Sequence, residues 1–272
     1  MPDRYAVIGN PIEHSKSPQI HTAFAKQEST QIHYEKILAA EDGFIDSVNQ
    51  FKQQHGLGLN VTVPFKIQAY RHCVDLTPQA KAAKAVNTIS FNRAGEWLGA
   101  NTDGIGLLRD LTKNINCALT NKNILILGAG GACRGILLPL LEESPTNLMI
   151  ANRTVEKAQQ LAGEFTSVGK VSACGYHDLE DQSFDIILNA TSSSLSNEVP
   201  PIPTQAIGNN CLCYDLMYSD KDTAFMLWAK QHKATNVSDG LGMLIEQAAA
   251  SYFIWRGFKP DTSKIFNLLR PN

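Results

Sequence analysis

The stretch NILILGAGGACRG, Asn123 to Gly135, decides the fold. Asn123–Leu127 opens on one polar residue and then runs apolar, the pattern of a strand buried on both faces of a parallel sheet. A glycine turn follows at once and leads into GILLPLLEE, a helical stretch. Gly128 permits the tight turn. Gly130 and Gly131 let the backbone approach a pyrophosphate lying on the helix N-terminus, with Ala129 and Ala132 as the small residues of the same turn. A full G-x-G-x-x-G pattern has Gly or Ala where Cys133 stands. An ordinary glycine-rich turn is the competing reading. Its place inside a strand–turn–helix unit favours a nucleotide site.

The residues that follow extend the pattern. NLMIANRT reads as the next strand and VEKAQQLAGEF as the next helix, with FDIILNAT and CLCYDLMY as further buried strands. Strands alternating with helices predict a doubly wound sheet. A site for the unphosphorylated dinucleotide wants Asp or Glu at the end of the second strand. Asn152-Arg153-Thr154 stands there, with Lys157 one helical turn on. A guanidinium binds a 2′-phosphate in a fork and a nearby lysine adds charge. Cations at a helix N-terminus oppose its dipole, which disfavours a merely solvated pair. The expected cofactor is NADP(H) rather than NAD(H).

Residues 1–103 also alternate strand and helix. YAVIG (Tyr5–Gly9), HYEKIL and LNVTVPF read as strands, helices lie between them, and VNTISFN with GEWLGAN forms a hairpin about Ala94-Gly95. The stretch GIGLLRDLTKN reads as an amphipathic helix, and the tail from Leu241 as one or two more. The expectation is α/β with two domains. The first, residues 1–103 plus 241–272, is a mostly parallel substrate and catalytic domain. The second, 104–240, is a Rossmann-like NADP-binding domain, and the C-terminal helices return to the first.

Polar residues gather at the carboxyl ends of the first domain's strands, where such sheets bind ligands. The loop after the first strand carries Ser15 and Ser17. The third strand carries Asn60 and Thr62 on one face, Val61 and Val63 on the other, and Pro64 ends it just before Lys66. Asn87 and Thr88 follow, then Asn101, Thr102 and Asp103. Hydroxyls, amides, one lysine and one aspartate suit a small, polyhydroxylated, anionic substrate. Each has a plainer reading: Ser17 as a helix cap, Asn87 as a turn amide, Lys66 as a surface lysine, Asp103 as a cap for a helix over 104–113.

The whole chain narrows the classes. It has 272 residues and a formal net charge of -2 with signs interspersed, so no basic field points to nucleic acid or an anionic membrane. No apolar run reaches bilayer length. The opening MPDRYAVIGN lacks the pattern of a signal peptide, so a cytoplasmic protein is expected. The six cysteines are scattered and read as free thiols in a reducing compartment; no metal site is expected.

The stretches YAVIGNPIEHSKSP, NVTVPFK, AVNTI, NTDGIG, GAGGA, NRT, NATS, YDLMY and DGLGMLIEQAA stand in this order, and at this spacing the chain resembles the bacterial shikimate dehydrogenase family from end to end. The resemblance implies an NADP-dependent oxidoreductase interconverting 3-dehydroshikimate and shikimate, acting on small molecules as a monomer or homodimer. It implies Lys66 and Asp103 as the catalytic pair. It implies substrate contacts from Ser15, Ser17, Asn60, Thr62, Asn87, Asp103, Tyr218 and Gln247. It implies cofactor contacts from Gly128–Ala132, Asn152–Lys157, Thr191, Leu216 and Gly240. The chain departs from the family at Cys133, at Pro78, where an acidic residue is frequent, and at Leu216, where Met is common. Alternatives are a quinate/shikimate dehydrogenase of relaxed specificity, a sister NADP-dependent dehydrogenase of the methylene-tetrahydrofolate type, and a non-catalytic NADP(H)-sensing module. Retention of both Lys66 and Asp103 argues against the sensor.

Overall fold

The computed structural model describes residues 2–270. They form two compact units: residues up to Gly106 together with those from Leu244 onward, and Leu107–Met243.

In chain order the first unit begins with β1 (Asp3–Gly9), α1 (Ser17–Gln27), β2 (Ile32–Leu38), α2 (Phe44–Gln53), β3 (Gly56–Val61) and α3 (Lys66–His72). It continues with β4 (Asp75–Leu76), α4 (Pro78–Ala83), β5 (Thr88–Phe91), β6 (Trp97–Ala100) and the start of α5 (Asp103–Arg109). The sheet order is β2-β1-β3-β5-β6-β4. β1 pairs in parallel with β2 and β3, because α1 and α2 are the crossovers. β5 and β6 form the antiparallel hairpin about Gly95, whose φ of +77° a glycine adopts without strain. Phe65 is buried and stacks on Phe44 at 4.8 Å between ring centroids, with Trp97 edge-on to Phe44. That packing fixes the turn that delivers Lys66 to the start of α3.

The second unit holds β7 (Asn123–Leu127), α6 (Gly131–Glu142), β8 (Asn147–Ala151), α7 (Val155–Gly163), β9 (Val171–Cys174), β10 (Phe184–Asn189), β11 (Ile207–Asp215), α8 (Ala224–Gln231) and β12 (Asn236–Asp239). All six strands are parallel, in the order β12-β11-β10-β7-β8-β9. This is the doubly wound order, with its switch point between β7 and β10. The register aligns Leu127, Ala151, Asn189, Asp215 and Asp239 in one row. The residues that follow them therefore leave the sheet along one edge.

The chain ends in α9 (Leu241–Arg256) and α10 (Ser263–Leu269). From Leu244 onward α9 packs on the first sheet. Trp255 stacks on Tyr5 at 4.9 Å and donates from Nε1 to the Ile89 carbonyl at 2.9 Å. A Cβ at Gly58 would lie 2.4 Å from that indole nitrogen, so the strand needs glycine there. Arg256 clamps the same face through Glu28 at 2.5 Å and Asp3 at 2.6 Å.

Three local expectations are corrected. β3 ends at Val61, so the expected strand through Phe65 is too long. The Thr62 N–H still donates to the Ile8 carbonyl at 3.0 Å, but the alternation of faces stops. Val63 is 61% exposed instead of packing beside buried Val61. The helix expected over 104–113 is α-helical only to Arg109 and then widens into a π-helical turn, Asp110–Asn114. Strands β4, β9 and β12 and helix α8 go beyond the sequence pattern, being short or weakly patterned.

Candidate active site

In the first unit the polar residues at the strand ends form one hydrogen-bonded system. Lys66, first residue of α3, donates from Nζ to Asp103 Oδ2 at 2.6 Å. The other carboxylate oxygen, Asp103 Oδ1, accepts from Asn87 Nδ2 at 2.8 Å. Asn87 is buried; its Oδ1 accepts the Thr102 backbone N–H at 2.9 Å, and its Nδ2 lies 3.3 Å from Gln247 Oε1. Lys66 and Asp103 are both part-exposed, their side chains at 31% and 16%. A charged donor thus faces solvent with its direction set by a buried amide behind its carboxylate partner.

Asn60 is buried beside this group. Its Oδ1 accepts from the Tyr34 hydroxyl at 2.7 Å and its Nδ2 donates to Ser251 Oγ at 3.0 Å. Tyr34 also meets Ser17, and burial raises its pKa well above the ordinary value, so it is a donor at neutral pH. Ser17 in turn accepts from Ser15 Oγ at 3.2 Å. Thr62 lies against Gly9, where a Cβ would come 2.4 Å from the threonine methyl. Ser15, Ser17, Asn60, Asn87, Asp103, Lys66 and Gln247 all belong to this unit. Tyr218 lies in the second unit, half-buried on the loop after β11.

The plainer readings of these residues fare unequally. The Asp103 carboxylate serves Lys66 and Asn87, while the Asp103 N–H is taken by Asn101 Oδ1 at 3.0 Å, so Asn101 caps that end. The Ser17 N–H is taken by Ser15 Oγ at 3.3 Å. Pro78 occupies the first turn of α4, capped by Thr77.

In the second unit the residues singled out for a dinucleotide lie along the edge that the strand register defines. Gly128 follows β7, Asn152 follows β8, Thr191 closely follows β10, Leu216 follows β11 and Gly240 follows β12. Gly128 has φ +97°, and a Cβ there would lie 3.0 Å from the Thr191 methyl. At Gly130 and Gly131, beside the start of α6, an added Cβ would meet nothing within 4 Å, which leaves an open cradle at the helix N-terminus. Arg153, Thr154 and Lys157 are exposed, and Asn152 Nδ2 donates to the Thr154 carbonyl at 2.8 Å, shaping their turn. Open glycine backbone, a 12-residue helix and two exposed cations fit a phosphorylated dinucleotide. Gly240 is fixed by contact: a Cβ there would lie 2.1 Å from the Leu216 carbonyl oxygen. Cys133 is fully buried against the sheet, and burial pushes its thiol pKa up to about 12.

Sequence reasoning gave no role to Asp215, a fully buried carboxylate. It accepts from Ser194 Oγ at 2.6 Å, Thr223 Oγ1 at 2.7 Å, the Met217 N–H at 3.1 Å and Asn189 Nδ2 at 3.3 Å. Asn189 Oδ1 accepts from Thr191 Oγ1 at 2.7 Å. Asp215 thereby ties together the two loops that carry Thr191 and Leu216. The available signal was a lone acid ending the apolar run CLCY.

Three family models match the chain in order. They are a shikimate dehydrogenase substrate-binding domain over residues 7–89, a shikimate/quinate 5-dehydrogenase domain over 110–197, and a shikimate 5′-dehydrogenase C-terminal domain over 240–265. The chain is 52% identical over 270 residues to the NADP(+) shikimate dehydrogenase of Herminiimonas arsenicoxydans, covering 99% of this chain and 98% of that one. Among solved structures, the Ael1 enzyme from Pseudomonas putida aligns with a TM-score of 0.95 at 43% identity over 99% of both chains. Shikimate 5-dehydrogenase from Thermus thermophilus, solved in complex with NADP(H) and shikimate, aligns with a TM-score of 0.85 at 30% identity over 96% of both chains.

Proposed function

This chain belongs to the shikimate dehydrogenase family, and on that premise we propose that it catalyses the reversible, NADP-dependent reduction of 3-dehydroshikimate to shikimate. The observation that carries the proposal is the Lys66–Asp103–Asn87 system at the strand ends of the first unit, with contacts of 2.6 Å and 2.8 Å. In this reading the unit containing residues up to Gly106 and from Leu244 onward binds substrate, and Leu107–Met243 binds NADP(H).

Reduction of a ketone needs a donor at the oxygen where negative charge develops. Lys66 is that donor: it stabilises the forming alkoxide and passes a proton to it. Asp103 holds the ammonium in direction, and Asn87 holds Asp103. NADPH, when bound, supplies the hydride. The hydroxyls of Ser15, Ser17 and Thr62 and the amides of Asn60, Asn87 and Gln247 bind the substrate's carboxylate and hydroxyls. Gly128, Ala129, Gly130, Gly131 and Ala132 cradle the pyrophosphate. Asn152, Arg153, Thr154 and Lys157 hold the 2′-phosphate, while Thr191, Leu216 and Gly240 wall the nicotinamide end.

The same reading makes the protein a cytoplasmic enzyme acting on small molecules, as a monomer or homodimer. Six free cysteines support a reducing compartment. No helix among the described residues is long and apolar enough to cross a membrane. Purified protein should reduce NADP+ when given shikimate, followed by absorbance at the NADPH band. No turnover would contradict the proposal.

A further inference from the structure

We propose that Ser251 and Thr88 are positioning residues: a one-directional line of hydroxyls ties the Asn60 side-chain amide to the Asn87 side-chain amide and holds the pair in place, and so sets the affinity for substrate. This rests on the reading of the first unit as the shikimate-binding one.

Ser251 is fully buried on α9, 191 residues from Asn60 in the chain. Four polar atoms surround its hydroxyl. Thr88 Oγ1 lies at 2.7 Å, Asn60 Nδ2 at 3.0 Å, the Gln247 carbonyl at 3.1 Å and Thr102 Oγ1 at 3.3 Å. A serine in a helix ordinarily returns its proton to the carbonyl four residues back. Here the contact to Thr88 is the shorter.

The direction of the line follows from groups that cannot reverse. Asn87 Oδ1 accepts the Thr102 backbone N–H at 2.9 Å, and a backbone N–H only donates. Asn87 Nδ2 therefore faces Asp103 Oδ1 at 2.8 Å, a carboxylate whose second oxygen is held by Lys66. Thr88 Oγ1 lies 2.9 Å from Asn87 Oδ1, so the threonine spends its single proton there. Its oxygen is then the acceptor for Ser251 at 2.7 Å, and Ser251 donates. The serine oxygen in turn accepts from Asn60 Nδ2, whose identity as the donor is set by the Asn87 backbone carbonyl 3.3 Å away, while Asn60 Oδ1 accepts the Tyr34 hydroxyl at 2.7 Å. The line runs Asn60 N–H to Ser251, Ser251 to Thr88, Thr88 to Asn87. Asn87 is oriented by the Thr102 N–H and the Asp103 carboxylate, and the two hydroxyls link Asn60 to it, in a buried site where an unmet polar group is costly. The two amides therefore share one network, and loss of either hydroxyl loosens the pair.

The test is a set of variants assayed for shikimate oxidation, with the wild type as control. Ser251→Ala and Thr88→Val each remove one hydroxyl while keeping or reducing volume. Each should raise the shikimate KM by about 3- to 10-fold, as expected for one neutral hydrogen bond, with kcat and the NADP+ KM within about twofold of wild type. Thr88→Ser keeps the hydroxyl and should recover most of the affinity lost in Thr88→Val. The double variant should be no worse than the weaker single one, because the line breaks once. An unchanged shikimate KM, or equal losses in Thr88→Ser and Thr88→Val, would overturn the proposal. A wild type that does not oxidise shikimate defeats the functional reading instead. In that case the side-chain amide signals of Asn60 and Asn87, followed by 15N NMR without substrate, decide the inference: they should both shift in Ser251→Ala, and signals left in place would overturn it.

Discussion

Lys66 Nζ meets Asp103 Oδ2 at 2.6 Å, and this contact joins the first turn of α3 to the first turn of α5. In the proposed mechanism, Lys66→Ala removes the donor at the developing alkoxide. General acid–base help is worth about 10²–10⁴-fold, so kcat should fall by at least that much while NADPH affinity stays near wild type. Stopped-flow or steady-state turnover with fluorescence titration of NADPH measures the two separately. Retained turnover would remove Lys66 from the mechanism.

Arg153 and Lys157 are exposed at the turn after β8. Losing one charge-assisted contact to a phosphate costs about 1.5–3 kcal/mol. Arg153→Ala should therefore weaken NADPH by roughly 10- to 150-fold and leave NADH nearly unchanged. Titration with both nucleotides checks this. An equal loss for both would show that Arg153 does not read the 2′-phosphate.

Two glycines at the same edge should fail in different ways. A Cβ at Gly240 would lie 2.1 Å from the Leu216 carbonyl oxygen, a backbone atom with little room to move. Gly240→Ala should cost about 1–3 kcal/mol of stability and weaken NADPH binding. Gly130 has nothing within 4 Å of the corresponding position. Gly130→Ala should leave the urea midpoint unchanged yet reduce NADPH affinity, because the methyl fills the cradle. A destabilised Gly130→Ala with normal binding would contradict the placement of the pyrophosphate.

His21 is fully buried and stacks on Tyr34 at 4.5 Å with rings 7° from parallel. Burial lowers its pKa from 6.5 to about 3, against a smaller opposing effect of the Asn60 side chain. The unfolded chain therefore takes up this proton first as pH falls. The stabilisation from a neutral His21 is complete above about pH 6.5, declines below it by up to about 1.4 kcal/mol per pH unit, and is gone by about pH 3. The difference in unfolding free energy between wild type and His21→Phe, measured by urea titration, should shrink or reverse across that window. A difference independent of pH would mean that His21 is not held neutral.

The extent to which this molecule is legible from its residues depends on the range of the interactions. The strand NILIL and its glycine turn read directly, because a strand covered on both faces must be apolar and a turn with φ +97° favours glycine. Lys66, Asp103 and Asn87 were recognisable as polar groups at strand ends. Ser251 was not, since one serine within an alanine-rich helix carries no pattern, and its partners lie far off in the chain. Asp215 was hidden for a related reason: its four donors come from separate segments, and only the folded sheet edge brings them together. Val63 departs from the alternation because the ladder gives way, past Val61, to the turn at Pro64.

Oxidation of shikimate with NADP+ is the activity on which the proposed roles of Lys66, Asp103 and Arg153 depend. One comparison decides it: kcat/KM for shikimate and for quinate, each with NADP+ and with NAD+, on a single preparation of the full chain. The highest value is expected for shikimate with NADP+. A higher value with quinate or with NAD+, or no turnover of shikimate at all, would contradict the proposed function.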